Sequence, residues 1–475
     1  MKYHTAGELA EIVRGTCSGN EKIEIRSVST DSRNIGKDAL FIALQGARFD
    51  GHDFLQSAYE HGAKAALIHR ETAVPDGMTV IRTADTLLAL GDLARDSADL
   101  PGRLLKVAIT GSVGKTSTKD MTARVLSARY RTMKTPLNYN NEIGLPMTCL
   151  QITDQEALVA EMGMRGLGQI AYLTKIVCPD IGMITNIGIS HIELLGSREN
   201  ILRAKLEICL GIRREGTLLL NGDDPFLADE PRIRALLAEY GRTDLRIIYY
   251  GTSACCDVRA ENIENLDKGI RFDINYNGVQ VPFTLQLMGR HHVYIAAAAA
   301  AAGICCGIPL KKAAGALEDY GSDVSRQQCI SLAGLMLIDD TYNAGPESMK
   351  AALSVLGEMK ADVRVAVLGD MLELGELAEQ AHYDVGAYAA ETGVDLLVPV
   401  GVLARGYQKG YTESNEATVT DYILSAENAE SAVDIVISAL RDITARHSAA
   451  VLVKGSHAMR MDLIAKAIAR EFAKS

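Results

Sequence analysis

Short apolar runs that end in glycine or a polar residue alternate with helical stretches from residue 106 onward. KVAIT, ALVAEMG, IGMITNIG and GTLLLNGD come first, and LMLIDD, VRVAVLGD, DLLVPVG and AAVLVKG follow. Strands separated by helices in this way build a mostly parallel sheet. In open α/β sheets, ligands bind beyond the carboxyl ends of the strands, so the residues that close these runs are the first candidates for chemistry. Before Leu100, shorter β-rich runs (DALFIALQG, KAALIH, MTVIRT) sit between helical stretches, and Pro101-Gly102 marks a boundary. At 475 residues the chain is too long for one ordinary core. No short-period repeat supports a solenoid. The expected fold is α/β in three domains, 1–100, 101–311 and 312–475.

The formal net charge of -11 argues against a nucleic-acid binder, which needs a basic face to neutralise phosphates. Nine cysteines, among them the pairs Cys255-Cys256 and Cys305-Cys306, show no metal-ligand spacing and suit reduced thiols in a cytosol. The N-terminus has no apolar signal core, so a cytoplasmic protein is expected. Val293 to Leu310 carries no charge, but seven of its residues are consecutive alanines. Alanine contributes little transfer free energy, so the segment is expected to be a close-packed buried helix rather than a membrane span.

The most specific local signal is KVAITGSVGKTSTKD, Lys106 to Asp120. A strand runs into Gly111-Ser112-Val113-Gly114-Lys115-Thr116-Ser117 and a helix follows at once. Glycines let backbone N–H groups turn toward a phosphate, and the helix N-terminus adds partial positive charge. Lys115 would reach the β- and γ-phosphates, and Thr116 would direct its hydroxyl to Mg²⁺. The general phosphate-loop pattern asks for a further glycine where this chain has Ile109. Glu161, directly after the strand ALVA, is placed to be a second metal ligand. By themselves Glu161, His191 and Lys205 have ordinary readings: a solvated strand end, a structural histidine and a surface lysine.

TGSVGKTSTK resembles the short phosphate loop of the Mur ligases, which lacks that earlier glycine. LNYNNEIGLPMT, EMGMRGLGQI, TNIGISHIELLGSRENILRAKLEI, DDTYNAGPESM and LGDMLELG are similar to blocks of the branch that adds D-alanyl-D-alanine. STDSRNIGKDALFIALQGARFDGHDF and VLVKGSHAMRMD resemble its first and last motifs, so the similarity runs in order along nearly the whole chain. The resemblance implies a small UDP-binding domain, a central phosphate-loop ATPase domain with a parallel sheet, and a C-terminal Rossmann-like domain. It implies an ATP-dependent ligase of peptidoglycan synthesis. ATP would activate the terminal carboxylate of UDP-N-acetylmuramoyl-tripeptide as an acyl phosphate, and the amine of D-alanyl-D-alanine would displace phosphate.

Carried over residue by residue, the resemblance gives Lys115 the γ-phosphate, Thr116 and Glu161 one Mg²⁺, and His191 with a carbamoylated Lys205 a second metal. Arg326 would contact phosphate, Asp340 the ribose (with Asp339 as the neighbouring alternative), and Tyr342 and Asn343 share that loop. His292 occupies the adenine position. Thr30, Asp31, Ser32, Arg33, Gly46, Asp50, Gly51 and His52 match the uridine and diphosphate motif, and Asn138 and Asn141 should face the peptide. A monomer is expected. The chain departs from the family at three places: His291-His292 replaces His-Asn, Gly345 replaces the second asparagine of Asn-Ala-Asn-Pro, and His457-Ala458 replaces Arg-Ser. Rival readings are a Mur ligase that adds one amino acid to UDP-N-acetylmuramoyl-dipeptide, whose Asp-Asn-Pro-Arg motif is absent, folylpolyglutamate synthase, which leaves the first domain unexplained, and a phosphate-loop regulatory ATPase.

Overall fold

The computed structural model describes residues 4–99, 104–266, 269–321, 327–414 and 423–473. The chain packs as two compact units. The first comprises Met1–Thr185, Arg203–Val258 and Ala298–Ala313, and the second Asn186–Leu202, Arg259–Ala297 and Ala314–Ser475. The architecture is α/β throughout, as the alternation of apolar runs and helices requires.

Besides the short antiparallel pair His4–Thr5 and Glu24–Ile25, the first unit carries two larger arrays of strands. In the N-terminal one the strand order is Thr16–Ser18, Thr79–Arg82, Ala63–Ile68, Ala39–Ile42, Ser27–Ser29. Only the first pair is antiparallel. The second runs Arg246–Gly251, Thr217–Asn221, Ile181–Ile184, Leu105–Thr110, Ala157–Glu161, Thr132–Lys134, all parallel. Val107, Ala108, Ile109, Leu158, Val159 and Leu219 are fully buried in it, which is why those runs are continuously apolar. Register pairs Glu161 with Ile109 and Ile184 with Thr110. Thr110 and Glu161, which end two of these strands, and Thr185, which follows the third, therefore gather around the start of the phosphate loop.

The alanine-rich segment forms the helix His291–Cys305, and Ala296 to Ala302 are all buried. No helix among the described residues is long and apolar enough to cross a membrane. Small side chains let the C-terminal half of this helix lie close to the helix Lys115–Leu126. A Cβ at Gly303 would stand 2.7 Å from Val125 Cγ1. The carbonyls that the helix end leaves unpaired are taken up by neighbours: Tyr130 Oη donates to Cys306 O at 2.8 Å and Arg129 Nη1 to Gly307 O at 2.7 Å.

The second unit contains the antiparallel pair Gly269–Tyr276 and Val279–Leu285. Its larger sheet has the order Gln328–Ser331, Leu335–Asp340, Ala449–Lys454, Val363–Gly369, Leu396–Val400. Only its first pair is antiparallel. Helices cover both faces, with Leu353, Leu356 and Val385 packed on one and Val436, Leu440 and Ile464 on the other. Asp340 and Lys454 end adjacent strands of this sheet in register.

Candidate active site

The strand Leu105–Thr110 delivers the chain to Gly111, whose φ of +153° and tight surroundings exclude any other residue. A Cβ there would fall 1.8 Å from Thr185 Oγ1. Thr185 Oγ1 donates to Val113 O at 2.7 Å and so pins the loop from the neighbouring strand. Gly114, with φ of +81°, occupies the left-handed conformation at the start of the helix Lys115–Leu126. The first N–H groups of that helix, with its dipole, face the loop, which is the arrangement that binds phosphate. Lys115 Nζ donates to Gly111 O at 2.8 Å and Ser112 O at 3.1 Å.

Below the loop, Glu161 is almost fully buried. Its Oε2 accepts from Thr116 Oγ1 at 2.7 Å and its Oε1 from Asn140 Nδ2 at 2.8 Å. The Glu161 N–H donates to Thr135 Oγ1 at 3.0 Å, which fixes the strand end itself. Lys119 Nζ lies 3.6 Å from Glu161 Oε2 and 3.5 Å from Asp120, and donates to Leu137 O at 3.4 Å. Asp120 is further paired with Lys134 at 2.8 Å. Asn140 and Lys119 are the residues that sequence reasoning missed. Lys119 had a usable signal, since it stands three residues after Thr116 and so shares its helix face. Asn140 had none beyond its place in a run of three asparagines.

Lys205 lies in the helix Arg198–Leu206 and is 1% exposed. Among the described residues it makes no hydrogen bond or ion pair. Burial first, then the charge of Lys115, hold its amine well below the ordinary lysine range. Desolvation and a neighbouring cation both favour the neutral, nucleophilic form of a lysine amine.

The asparagines expected at the peptide differ in setting. Asn138 is exposed, whereas Asn141 Oδ1 accepts from the backbone N–H groups of Ile143 at 3.2 Å and Gly144 at 2.8 Å at the start of the next helix. In the N-terminal sheet, Asp31 is held at about 2 by the side chain and backbone N–H of Arg33. Thr30 and Ser32 flank it on the same half-exposed loop. Gly46 donates to Phe49 O at 2.9 Å, and Gly51 must be glycine because a Cβ would stand 2.7 Å from Leu44 N. His52 turns inward. Its Nδ1 is 2.6 Å from Asp50 Oδ1, and its Nε2 accepts from the His69 N–H at 3.2 Å, which puts the ring proton on Nδ1. Arg70 donates to Asp50 Oδ2 from Nε at 3.2 Å and Nη2 at 3.0 Å. Burial would raise the Asp50 pKa, but the His52 backbone and ring and the Arg70 guanidinium outweigh it and hold it at about 2.

The second unit brings together another set. His191, with φ of +64°, starts the short helix Ile192–Leu195, and its Nδ1 is 2.8 Å from Glu373 Oε2. Asp340 Oδ2 takes a 2.5 Å contact from Lys454 Nζ, which also donates to Asn343 O at 2.9 Å. Asp339 instead accepts from Thr341 Oγ1 at 2.7 Å. The Tyr342 ring meets His457 edge-on at 6.0 Å. Gly345 is extended and precedes the helix Pro346–Glu358, its N–H donating to Ser348 Oγ. His292 is buried, with Nδ1 2.9 Å from Met288 O. Burial and the neighbouring His291 keep it well below the usual histidine range. Arg326 lies outside the described residues.

Residues 24–97 match the Mur ligase family catalytic domain, residues 109–303 the Mur ligase middle domain, and residues 325–457 the Mur ligase glutamate ligase domain. The chain is 36% identical to UDP-N-acetylmuramoyl-tripeptide–D-alanyl-D-alanine ligase of Bacillus subtilis, with 98% of each chain covered. To the Escherichia coli enzyme of the same name it is 33% identical, again over 98% of each. Among solved structures, MurF from Acinetobacter baumannii superimposes with a TM-score of 0.90 at 32% identity, covering 98% of this chain and 99% of that one.

Proposed function

The chain belongs to the Mur ligase family, and from that premise we propose that it joins D-alanyl-D-alanine to UDP-N-acetylmuramoyl-tripeptide, using ATP and passing through an acyl phosphate. It is an enzyme of peptidoglycan precursor synthesis. The observation that carries the residue-level proposal is the cluster of Thr116, the buried Glu161 and Asn140 beneath the phosphate loop, with the buried amine of Lys205 in the same unit.

Phosphoryl transfer to a carboxylate needs charge neutralised, two reactants aligned and water excluded. The loop N–H groups and helix N-terminus hold the nucleotide phosphates, and Lys115 exchanges its two loop carbonyls for phosphate oxygens. The hydroxyl of Thr116 and the carboxylate of Glu161 are hard oxygen donors 2.7 Å apart, so the donor set fits Mg²⁺. When bound, the cation offsets phosphate charge. Asn140 and Lys119 keep Glu161 aimed, and Thr185 keeps the loop in shape. Lys205, carbamoylated by carbon dioxide with loss of one amine proton, would supply an oxygen donor to a second metal, the role that the family resemblance also gives His191. What supports that step is the amine's burial, lack of partners and lowered pKa.

The proposal places uridine and diphosphate on Thr30 to Arg33 and on the turn from Gly46 to His52. His52 acts there through Asp50 rather than by touching the ligand. Asn138 faces the peptide. Asp340, Tyr342, Asn343, His292 and Arg326 serve the nucleotide. The same proposal divides the chain into domains 1–100, 101–311 and 312–475 and takes the enzyme to be a cytoplasmic monomer that uses no nucleic acid.

The deciding experiment is phosphate release from Mg-ATP with both substrates, omitting each in turn, beside Lys115→Ala. Release that needs both substrates, yields the UDP-pentapeptide mass and vanishes in the variant is expected. Release indifferent to both substrates would overturn the ligase in favour of a regulatory ATPase. Carbamoylation is read separately by ¹³C NMR of protein equilibrated with labelled bicarbonate. A carbamate resonance absent from Lys205→Ala is expected, and the same spectrum from both proteins would remove that step.

A further inference from the structure

Two adjacent cysteine pairs stand in the sequence, and the fold treats them differently. Cys305 and Cys306 lie at the end of the alanine-rich helix, where neighbouring side chains diverge around the axis, and Cys306 is turned into the core. Cys255 and Cys256 instead follow the strand Arg246–Gly251 in a turn closed by the Cys256 N–H on Ser253 O at 3.0 Å. Cys255 is exposed and Cys256 buried, yet both sulfurs lie over the backbone of Gly222. A Cβ on that glycine would stand 2.6 Å from Cys256 Sγ and 3.7 Å from Cys255 Sγ. The Cys255 Sγ is also 3.8 Å from Gly222 O. Gly251 clears the other side, since a Cβ there would come within 3.0 Å of Cys256 Sγ. Two glycines thus make room for two sulfurs that point to one place.

We propose that Cys255 and Cys256 form a dithiol site that takes trivalent arsenic, as arsenous acid or a monosubstituted arsenical, in a function separate from peptide ligation. Donor count selects the ligand. A structural zinc ion asks for four nitrogen or sulfur ligands, and no cluster of three or more histidine, cysteine or acidic side chains able to hold a metal occurs among the described residues. Trivalent arsenic is satisfied by two sulfurs and one further substituent. With phenylarsine oxide the balance is simple: one arsenic–sulfur bond forms to each cysteine, both thiol protons leave with the oxide oxygen as one water, and arsenic remains trivalent. Protonation favours the same choice. Burial, then the nearby Asp223 carboxylate, push the Cys256 thiol up to about 12. A soft cation needs thiolates, whereas a condensation that releases water starts from thiols. Asp223 holds the turn through the N–H groups of Thr252 at 2.6 Å and Ser253 at 2.8 Å, so the sulfurs stay together.

The test is intact-mass spectrometry of the full chain, kept reduced with a phosphine, after titration with phenylarsine oxide. One adduct per chain is expected, mapped to the peptide holding residues 255 and 256. It should resist excess glutathione and be stripped by a small 1,2-dithiol. Cys255→Ser, at an exposed position, should lower the apparent affinity more than tenfold while leaving the thermal midpoint unchanged, and Cys256→Ser should do the same to the adduct. Cys305→Ser serves as the control and should leave the adduct intact. An adduct that survives Cys255→Ser, maps elsewhere or washes off with glutathione overturns the site. Stoichiometric cadmium binding lost in the same variants, with no arsenical adduct, overturns the choice of ligand.

Discussion

Three asparagines follow the phosphate-loop helix within four residues, and the structure gives each a different setting that mutation can separate. Asn140 donates to Glu161 Oε1 at 2.8 Å, opposite Thr116 on Oε2 at 2.7 Å. A hydrogen bond to a charged group contributes roughly 1.5–3 kcal/mol. At about 1.4 kcal/mol for each factor of ten, Asn140→Ala should lower kcat/KM for Mg-ATP by about ten- to a hundredfold. Because the lost bond aims the carboxylate proposed to hold Mg²⁺, the Mg²⁺ concentration for half-maximal rate should rise in parallel, and excess Mg²⁺ should restore part of the rate. Asn141→Ala removes the acceptor of two backbone N–H groups at a helix start, which costs about 1 kcal/mol of stability. It should shift the urea midpoint and leave the Mg²⁺ dependence alone. Asn138→Ala, at an exposed position, should change neither stability nor Mg²⁺ dependence and should raise KM for the UDP-tripeptide. Steady-state phosphate release across Mg²⁺ and substrate concentrations, with urea melts, measures all three. An Asn140→Ala enzyme within threefold of wild type at every Mg²⁺ concentration would refute the role given to the Glu161 cluster.

Lys119→Met removes a buried ammonium shared by Glu161 and Asp120. Each acid keeps other partners, so the loss in urea stability should fall near or below the lower end of the roughly 3–5 kcal/mol seen for broken buried pairs, and added Mg²⁺ should narrow it. Gly303→Ala inserts a Cβ 2.7 Å from Val125 Cγ1 and should destabilise by about 1–3 kcal/mol through overpacking. Val125→Ala in the same protein should recover much of that, and strictly additive denaturation energies would argue against the contact. Asp50 carries a folded-state pKa of about 2 against an ordinary 3.8. A depressed carboxylate stabilises fully above its unfolded value and loses that contribution as pH falls through the folded one. The urea-midpoint advantage of wild type over Asp50→Asn should therefore be constant above about pH 5 and shrink between about pH 4 and 2.

The parts of the site written in local sequence were legible, and the parts made by sheet order were not. Gly111, Gly114, Lys115 and Thr116 are fixed by the strand–loop–helix spacing alone, because the left-handed backbone at Gly114 and the clash a Cβ would meet at Gly111 leave no alternative residue. The alanine run declared a buried helix through its lack of charge and the small transfer free energy of alanine, and the close approach of Val125 at Gly303 belongs to the same packing. Thr185 is different, and so are the partners of Glu161, although its strand end and the family blocks singled that residue out. Both residues stand beside the loop because the strands Ala157–Glu161 and Ile181–Ile184 both pair with Leu105–Thr110, a strand order that no local pattern encodes. Asn140 shows the limit most sharply, since only the completed fold tells which of three neighbouring asparagines reaches the carboxylate. His52 shows the converse. Its motif marks a ligand-facing turn, yet the ring is committed to Asp50 and the His69 backbone, so the match is carried by a residue that shapes the turn from inside. Gly345 makes a similar point in the second unit. The asparagine expected there is replaced by a residue that can still begin the helix Pro346–Glu358, with Ser348 accepting its N–H, so the loop of Tyr342 and Asn343 keeps its helical anchor. A departure from a family motif thus has to be weighed by what the residue touches, and at Gly345 the helix start is made by the backbone N–H without any side chain.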